Sequence, residues 1–174
     1  MRHPQRIRFA CAAVMLIAGC GGSHAATPAT PTVSASGGPT LTGKVVSITG
    51  FHGHPVVLIF WGSWCGPCRD EQPQLNGLYA KWSPRGVDFL GVDLRDDHRK
   101  ALAFQWSLQV PYQSIADSNM TVALNYRIPS APALVFLDTH GRIADVVLGA
   151  LGVISVAQCN AEISSLLGVP SASA

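Results

Sequence analysis

Val56-Val57-Leu58-Ile59-Phe60-Trp61-Gly62-Ser63-Trp64-Cys65-Gly66-Pro67-Cys68-Arg69 runs from an uninterrupted apolar segment through a turn into a Cys-x-x-Cys pair. The apolar run has the length and the branched composition of a strand buried on both faces. Beyond the turn, Leu75, Leu78, Tyr79 and Trp82 recur at helical spacing, which predicts a helix over residues 65–81. Cys65 then falls at the N-terminus of that helix, directly behind a buried strand. Unpaired backbone N–H groups and the helix macrodipole favour negative charge there. They favour the thiolate, which is the nucleophile in thiol–disulfide exchange. Cys68, one turn further along, is expected to be shielded and to act as the resolving thiol.

The pattern continues outward from this stretch. Residues 86–93 read as a second strand. Residues 97–108 read as a helix with Ala101, Phe104 and Leu108 on one face. An extended piece over 110–115 precedes a short helix over 120–126. Residues 133–137 form another buried strand, Asp138-Thr139-His140-Gly141 a turn, 143–148 the last strand and 155–167 the last helix. The order β-α-β-α-β-α-β-β-α predicts an α/β fold, a three-layer sandwich with a mixed central sheet flanked by helices.

The five cysteines sort into different jobs. Cys65 and Cys68 close too small a loop to constrain the unfolded chain, so chemistry explains the pair better than stability does. Zinc is the competing reading of any Cys-x-x-Cys, but it needs two further ligands. His52 and His54 stand in a turn, and His98 and His140 are scattered, so no metal is expected. Cys159 lines up with Val156, Ile163 and Leu166 on one helix face and is read as a small core residue.

The N-terminus reads as a leader. Arg2, Arg6 and Arg8 precede an apolar stretch from Phe9 to Ala18 that is too short to span a bilayer. Cys11 lies inside it. Leu16-Ile17-Ala18-Gly19-Cys20 resembles a bacterial lipobox, which implies a signal peptide over 1–19 and lipidation of Cys20. Residues 20–40, rich in Gly, Ser, Thr, Ala and Pro, are expected to form a flexible tether, followed by one domain over 41–174. The formal charge of +2 loses three arginines with the leader, leaving nine basic against ten acidic residues. No basic run or basic helix supports a nucleic-acid partner. With 48% hydrophobic and 13% charged residues, a packed core is expected without disulfide staples.

The segment Trp61–Arg69 resembles the active-site stretch of thioredoxin-fold proteins, and more narrowly that of the TlpA/ResA-like membrane-tethered group. Glu71 stands three residues after Cys68 and Pro73 five after it, where that group carries an acid and a helix-kinking proline. Ile128-Pro129-Ser130-Ala131-Pro132-Ala133 resembles the segment that holds the family's cis-proline, and the similarity covers roughly residues 41–168. The resemblance implies a redox-active Cys65–Cys68 pair, with no other cofactor. It also implies Pro132, which directly precedes the strand, as the cis-proline, with Pro129 as the other candidate, and Trp64, Gly66, Pro67 and the Ala131 backbone as the substrate surface. Ile59 stands where cytosolic thioredoxins bury an aspartate, and Glu71 is the candidate substitute; the alternative for Glu71 is a solvated carboxylate paired with Arg69 or Lys81. The implied activity is exchange with extracytoplasmic protein thiols and disulfides, preferably in the reducing direction, with cytochrome c maturation as one context. A membrane electron donor or acceptor, a lipid anchor in a bacterial cell membrane and a monomeric state complete the expectation. The alternatives are a disulfide-donating oxidase, a thiol peroxidase and a redox-silent binding module. Peroxidases of this fold use Thr-x-x-Cys, and here Gly62 occupies the threonine position.

Overall fold

The computed structural model describes residues 36–149 and 155–169. The expected leader, Cys11, Cys20 and most of the expected tether lie outside those residues. Two short strands, β1 (Gly37–Pro39) and β2 (Val45–Ser47), pair as an antiparallel hairpin. They are followed by β3 (Val56–Trp61), α1 (Gly66–Trp82), β4 (Asp88–Leu94), α2 (His98–Ser107) and β5 (Ser114–Asp117). Then come α3 (Thr121–Asn125), β6 (Ala133–Leu137), β7 (Ile143–Leu148) and α4 (Val156–Leu166).

Five strands form one sheet in the order β5-β4-β3-β6-β7. β3, β4 and β5 run parallel, while β6 and β7 are antiparallel additions. β3 lies at the centre and every one of its residues is buried, as a continuous apolar run requires. Val57, Ile59 and Trp61 point into a core shared with Leu75, Leu78 and Trp82 of α1, Phe104 of α2, and Cys159 and Ile163 of α4. Val56, Leu58 and Phe60 point the other way, against Val122 and Ala123 of α3 and Val46 and Ile48 near the hairpin. The period-2 alternation of one strand thus fills both layers. Each fully buried apolar side chain of this size contributes about 1.5–3 kcal/mol.

From β3 onward, element order and type follow the sequence expectation; most ends shift by a residue or two where caps intervene, β5 starts four residues later than expected, and the β1–β2 hairpin stands before the expected series. Asp97 is one such cap: its carboxylate accepts from the Arg99 and Lys100 N–H groups at 3.1 Å each and starts α2 one residue later than expected.

The boundary at residue 41 is corrected. Gly37–Pro39 are a strand, Thr40 is buried, and Leu41 N–H donates to the Ser114 carbonyl at 2.9 Å. Thr40 also bridges to Ile115, so this segment covers the edge of β5. Composition pointed to a tether because the segment has few apolar side chains. It is held instead by backbone hydrogen bonds, which composition does not register. Gly37 takes φ +141°, and a Cβ there would stand 2.2 Å from the Val46 carbonyl oxygen, so only glycine fits the hairpin.

Candidate active site

β3 delivers the chain to a turn at Gly62–Trp64, and α1 starts at Gly66 with Pro67 in its first turn. Cys65 is the N-cap residue, in extended conformation, and its Sγ accepts from the Cys68 N–H at 3.1 Å. The two cysteines form a disulfide with Cα atoms 5.3 Å apart. The first-turn N–H that would stabilise a Cys65 thiolate is therefore already aimed at its sulfur. Cys68 is 2% exposed, as expected of a resolving thiol, but Cys65 is also only 4% exposed.

The turn at Gly62–Trp64 is pinned at two residues. Ser63 donates both its backbone N–H and its Oγ to the Asp96 carboxylate, the latter at 2.7 Å. Trp64 Nε1 donates to the Leu94 carbonyl at 2.9 Å, although the residue is half exposed. Beneath the turn, Trp61 stacks on Phe104 with ring centroids 4.5 Å apart, and the Arg69 guanidinium lies 5.0 Å over the same Phe104 ring. Trp61 Nε1 donates to Ser114 Oγ at 3.1 Å, and Gln105 Nε2 donates to that oxygen at 2.8 Å. Gly91 makes room for this arrangement, because a Cβ there would meet Ser114 Oγ at 2.0 Å and Trp61 Nε1 at 2.8 Å.

The other expected site residues fall as follows. The Ala131–Pro132 peptide is cis, and both residues are half-buried immediately before β6. Gly66 and Pro67 are exposed at the tip of α1. Trp64 lines a cleft of about 510 Å³ with Leu94, Arg95, Met120, Pro129 and Ser130, between the β4 end and the loop that carries Pro132. Glu71 is buried within α1, so the solvated-carboxylate alternative is corrected. The helix turns it inward, toward Tyr112 and Cys159, and its charge helps push the proton affinity of both upward. Cys159 is a free, fully buried thiol, raised to about 11 chiefly by burial. Ile59 is an ordinary core residue.

Sequence reasoning missed Asp93. It is the penultimate residue of β4, paired with Trp61 across the strands, is 3% exposed, and its Oδ1 has no hydrogen-bond partner among the described residues. Burial first, and then the Asp96 carboxylate, push its carboxyl up to about 8. A signal was present in the sequence: Phe89, Gly91 and Asp93 share one strand face by period 2, so an acid stands at an inward position. Ser63 and Asp96 were missed too, because their pairing spans 33 residues.

Comparisons with known proteins agree with this geometry. The AhpC/TSA family model matches residues 29–146. The thiol-disulfide oxidoreductase ResA of Bacillus cereus is 27% identical over 63% of this chain and 63% of its own. The thiol:disulfide interchange protein DsbE of Pseudomonas fluorescens biotype C is 34% identical over 65% of this chain and 62% of its own. The chain thus spans less than two thirds of the length of these curated relatives. A secreted Mycobacterium tuberculosis disulfide oxidoreductase homologous to Escherichia coli DsbE superposes with a TM-score of 0.66 at 25% identity, over 74% of this chain and 94% of that one. The chain belongs to the AhpC/TSA family, among its ResA- and DsbE-like thioredoxin-fold members.

Proposed function

We propose that this protein is an extracytoplasmic thiol–disulfide oxidoreductase that works through Cys65 and Cys68 in the reducing direction. The observation that carries the reading is the Cys65 sulfur at the helix N-cap, accepting the Cys68 N–H and bonded to the Cys68 sulfur. In the reduced protein the Cys65 thiolate attacks one sulfur of a substrate disulfide. A mixed disulfide forms, and the other substrate sulfur leaves as a thiolate that takes a proton. The Cys68 thiolate then attacks Cys65 Sγ, which closes the intramolecular disulfide and releases the second substrate thiol. Two electrons pass to the substrate, and an external dithiol at the membrane restores the reduced pair.

Cys65 and Cys68 are the reacting groups. Pro132, the Ala131 backbone and the Trp64 cleft form the surface on which an extended substrate segment lies, with Gly66 and Pro67 at its rim. Glu71 is the buried acid assigned to proton movement around the pair. Lipidation at Cys20, behind a signal peptide, would hold the domain at the outer face of a bacterial membrane, and the lipobox-like sequence supports this. The secreted solved relative is consistent with the compartment.

The test is the equilibrium potential of the full chain in dithiothreitol or glutathione buffers. One reversible two-electron couple is expected, absent from Cys65→Ser and Cys68→Ser and kept in Cys159→Ser. A value near roughly −270 mV supports reduction, and one near roughly −120 mV makes the protein a disulfide donor. Absence of any reversible couple would overturn the assignment.

A further inference from the structure

We infer that Arg95 is a specificity residue that selects a carboxylate in the substrate, so that the protein acts on disulfides flanked by apolar and acidic side chains. The substrate's path along the Trp64 cleft is taken from the proposed exchange chemistry, on which this selectivity rests.

The cleft of about 510 Å³ begins at Trp64, next to the nucleophile in the chain, and reaches Ser130, two residues before the cis-proline. An extended segment advances about 3.3 Å per residue, so the two or three residues beside a substrate cysteine come to lie over it. Leu94 and Met120 are buried and give it an apolar floor. Trp64 and Pro129 stand exposed beside them, and Trp64 is tied down by its bond to the Leu94 carbonyl. That floor takes an apolar side chain, and the flexible thioether of Met120 adapts to its shape.

Arg95 is the one charged residue among the described residues that line the cleft. It is exposed, and its guanidinium has neither an ion pair nor a hydrogen bond to any described residue. The neighbouring carboxylate, Asp96, is already taken by Ser63. A guanidinium left over at the edge of an apolar cleft matches a carboxylate, which it can grip with two parallel N–H bonds, and repels an ammonium group.

The backbone around the cleft is set before any substrate arrives. Arg95 and Met120 take left-handed conformations, at φ +46° and +63°, which residues other than glycine rarely adopt. Two of the four such residues among the described residues thus line this one cleft. A single buried residue fixes both: the Asp117 carbonyl accepts the Arg95 N–H at 3.4 Å and the Met120 N–H at 3.1 Å. The Asp117 carboxylate accepts the Val122 and Ala123 N–H groups at 3.2 and 2.9 Å, which anchors the segment that follows Met120. Strained backbone persists where its surroundings over-determine it, and it gathers at ligand clamps. A cleft shaped in advance also lowers the ordering cost of binding.

The experiment uses the reduced full chain and three disulfide-linked peptide dimers. Each peptide has phenylalanine on both sides of its cysteine, then glutamate, glutamine or lysine next outward. The second-order rate of exchange is divided by the rate of the same dimer with free dithiothreitol, which removes its intrinsic reactivity. At low salt the glutamate dimer is expected to react about fivefold faster than the glutamine dimer, the upper end for a solvent-screened ion pair, and the lysine dimer slower still. The preference should shrink with added salt, fall to about one in Arg95→Gln and invert towards lysine in Arg95→Glu. Equal rates for the glutamate and glutamine dimers in wild type, or a preference that survives Arg95→Gln, would overturn the inference. Should no dimer be reduced, the proposed function fails, and the same peptides with serine in place of cysteine read the cleft alone. Tryptophan fluorescence then measures their affinity for the oxidised full chain: a glutamate preference lost in Arg95→Gln keeps the specificity residue, and equal affinities sink it.

Discussion

Replacing Asp93 by asparagine should stabilise the oxidised protein at alkaline pH and leave it nearly unchanged in acid. The carboxyl moves from an ordinary value of 3.8 to about 8 on folding, because burial and then Asp96 oppose its charge. Below the unfolded value both states are protonated and pH has no effect through this group. Between the two values the unfolded chain is ionised while the folded chain keeps its proton, so stability falls as pH rises. Above about 8 both are ionised and the penalty is constant. One proton taken up on folding gives about 1.4 kcal/mol per pH unit, or about 4 kcal/mol between about pH 5 and about pH 8. Asp138, whose carboxyl the Arg142 backbone N–H holds down at about 2, has the opposite sign but changes charge at lower pH, outside this window. Urea unfolding at those two pH values, followed by tryptophan fluorescence, measures the difference directly. The stability advantage of Asp93→Asn over wild type should grow by about 2–4 kcal/mol from the acidic to the alkaline condition. An advantage independent of pH would mean that Asp93 titrates like a solvated aspartate, and the electrostatic account of the β4 end would fail.

Gly91→Ala places a methyl group 2.0 Å from Ser114 Oγ and 2.8 Å from Trp61 Nε1. Overpacking together with loss of the Trp61–Ser114 bond should cost about 2–4 kcal/mol, seen as a lowered thermal midpoint. Cys159 should resist aromatic disulfide reagents in the native oxidised protein and react only at the rate of unfolding, since it is fully buried and its thiol sits near 11. Rapid native labelling of that one thiol would contradict its place on the buried face of α4.

Much of the architecture was legible in the chain because strand and helix periods are local properties. The run 56–60 could only be a strand covered on both faces, and the apolar spacing after Cys68 could only be an amphipathic helix. Those two segments fix the Cys-x-x-Cys pair at a strand-to-helix junction, and the cis-proline segment was recognisable from its resemblance. The sheet core is set by these local signals, so its elements lie where the pattern put them to within a residue or two, except β5, which starts four residues later.

Tertiary structure decided the rest, and the reason is the same in each case: burial of a polar group depends on neighbours that arrive from distant parts of the chain. For Glu71 the sequence left two readings, a redox acid or a solvated carboxylate, and α1 turns it into the core, where its charge bears on Tyr112 and Cys159. Residues 37–40 read as tether because their side chains are small, yet they gain backbone partners on β2 and near Ser114. Asp93 and Asp96 read as ordinary strand-end and loop aspartates. Only the packing of β4 against β3 brings one of them into the dry interior and sets the other against Ser63. Local pattern in the chain places the sulfur chemistry at a strand-to-helix junction; long-range packing places the buried carboxyl groups of Glu71 and Asp93.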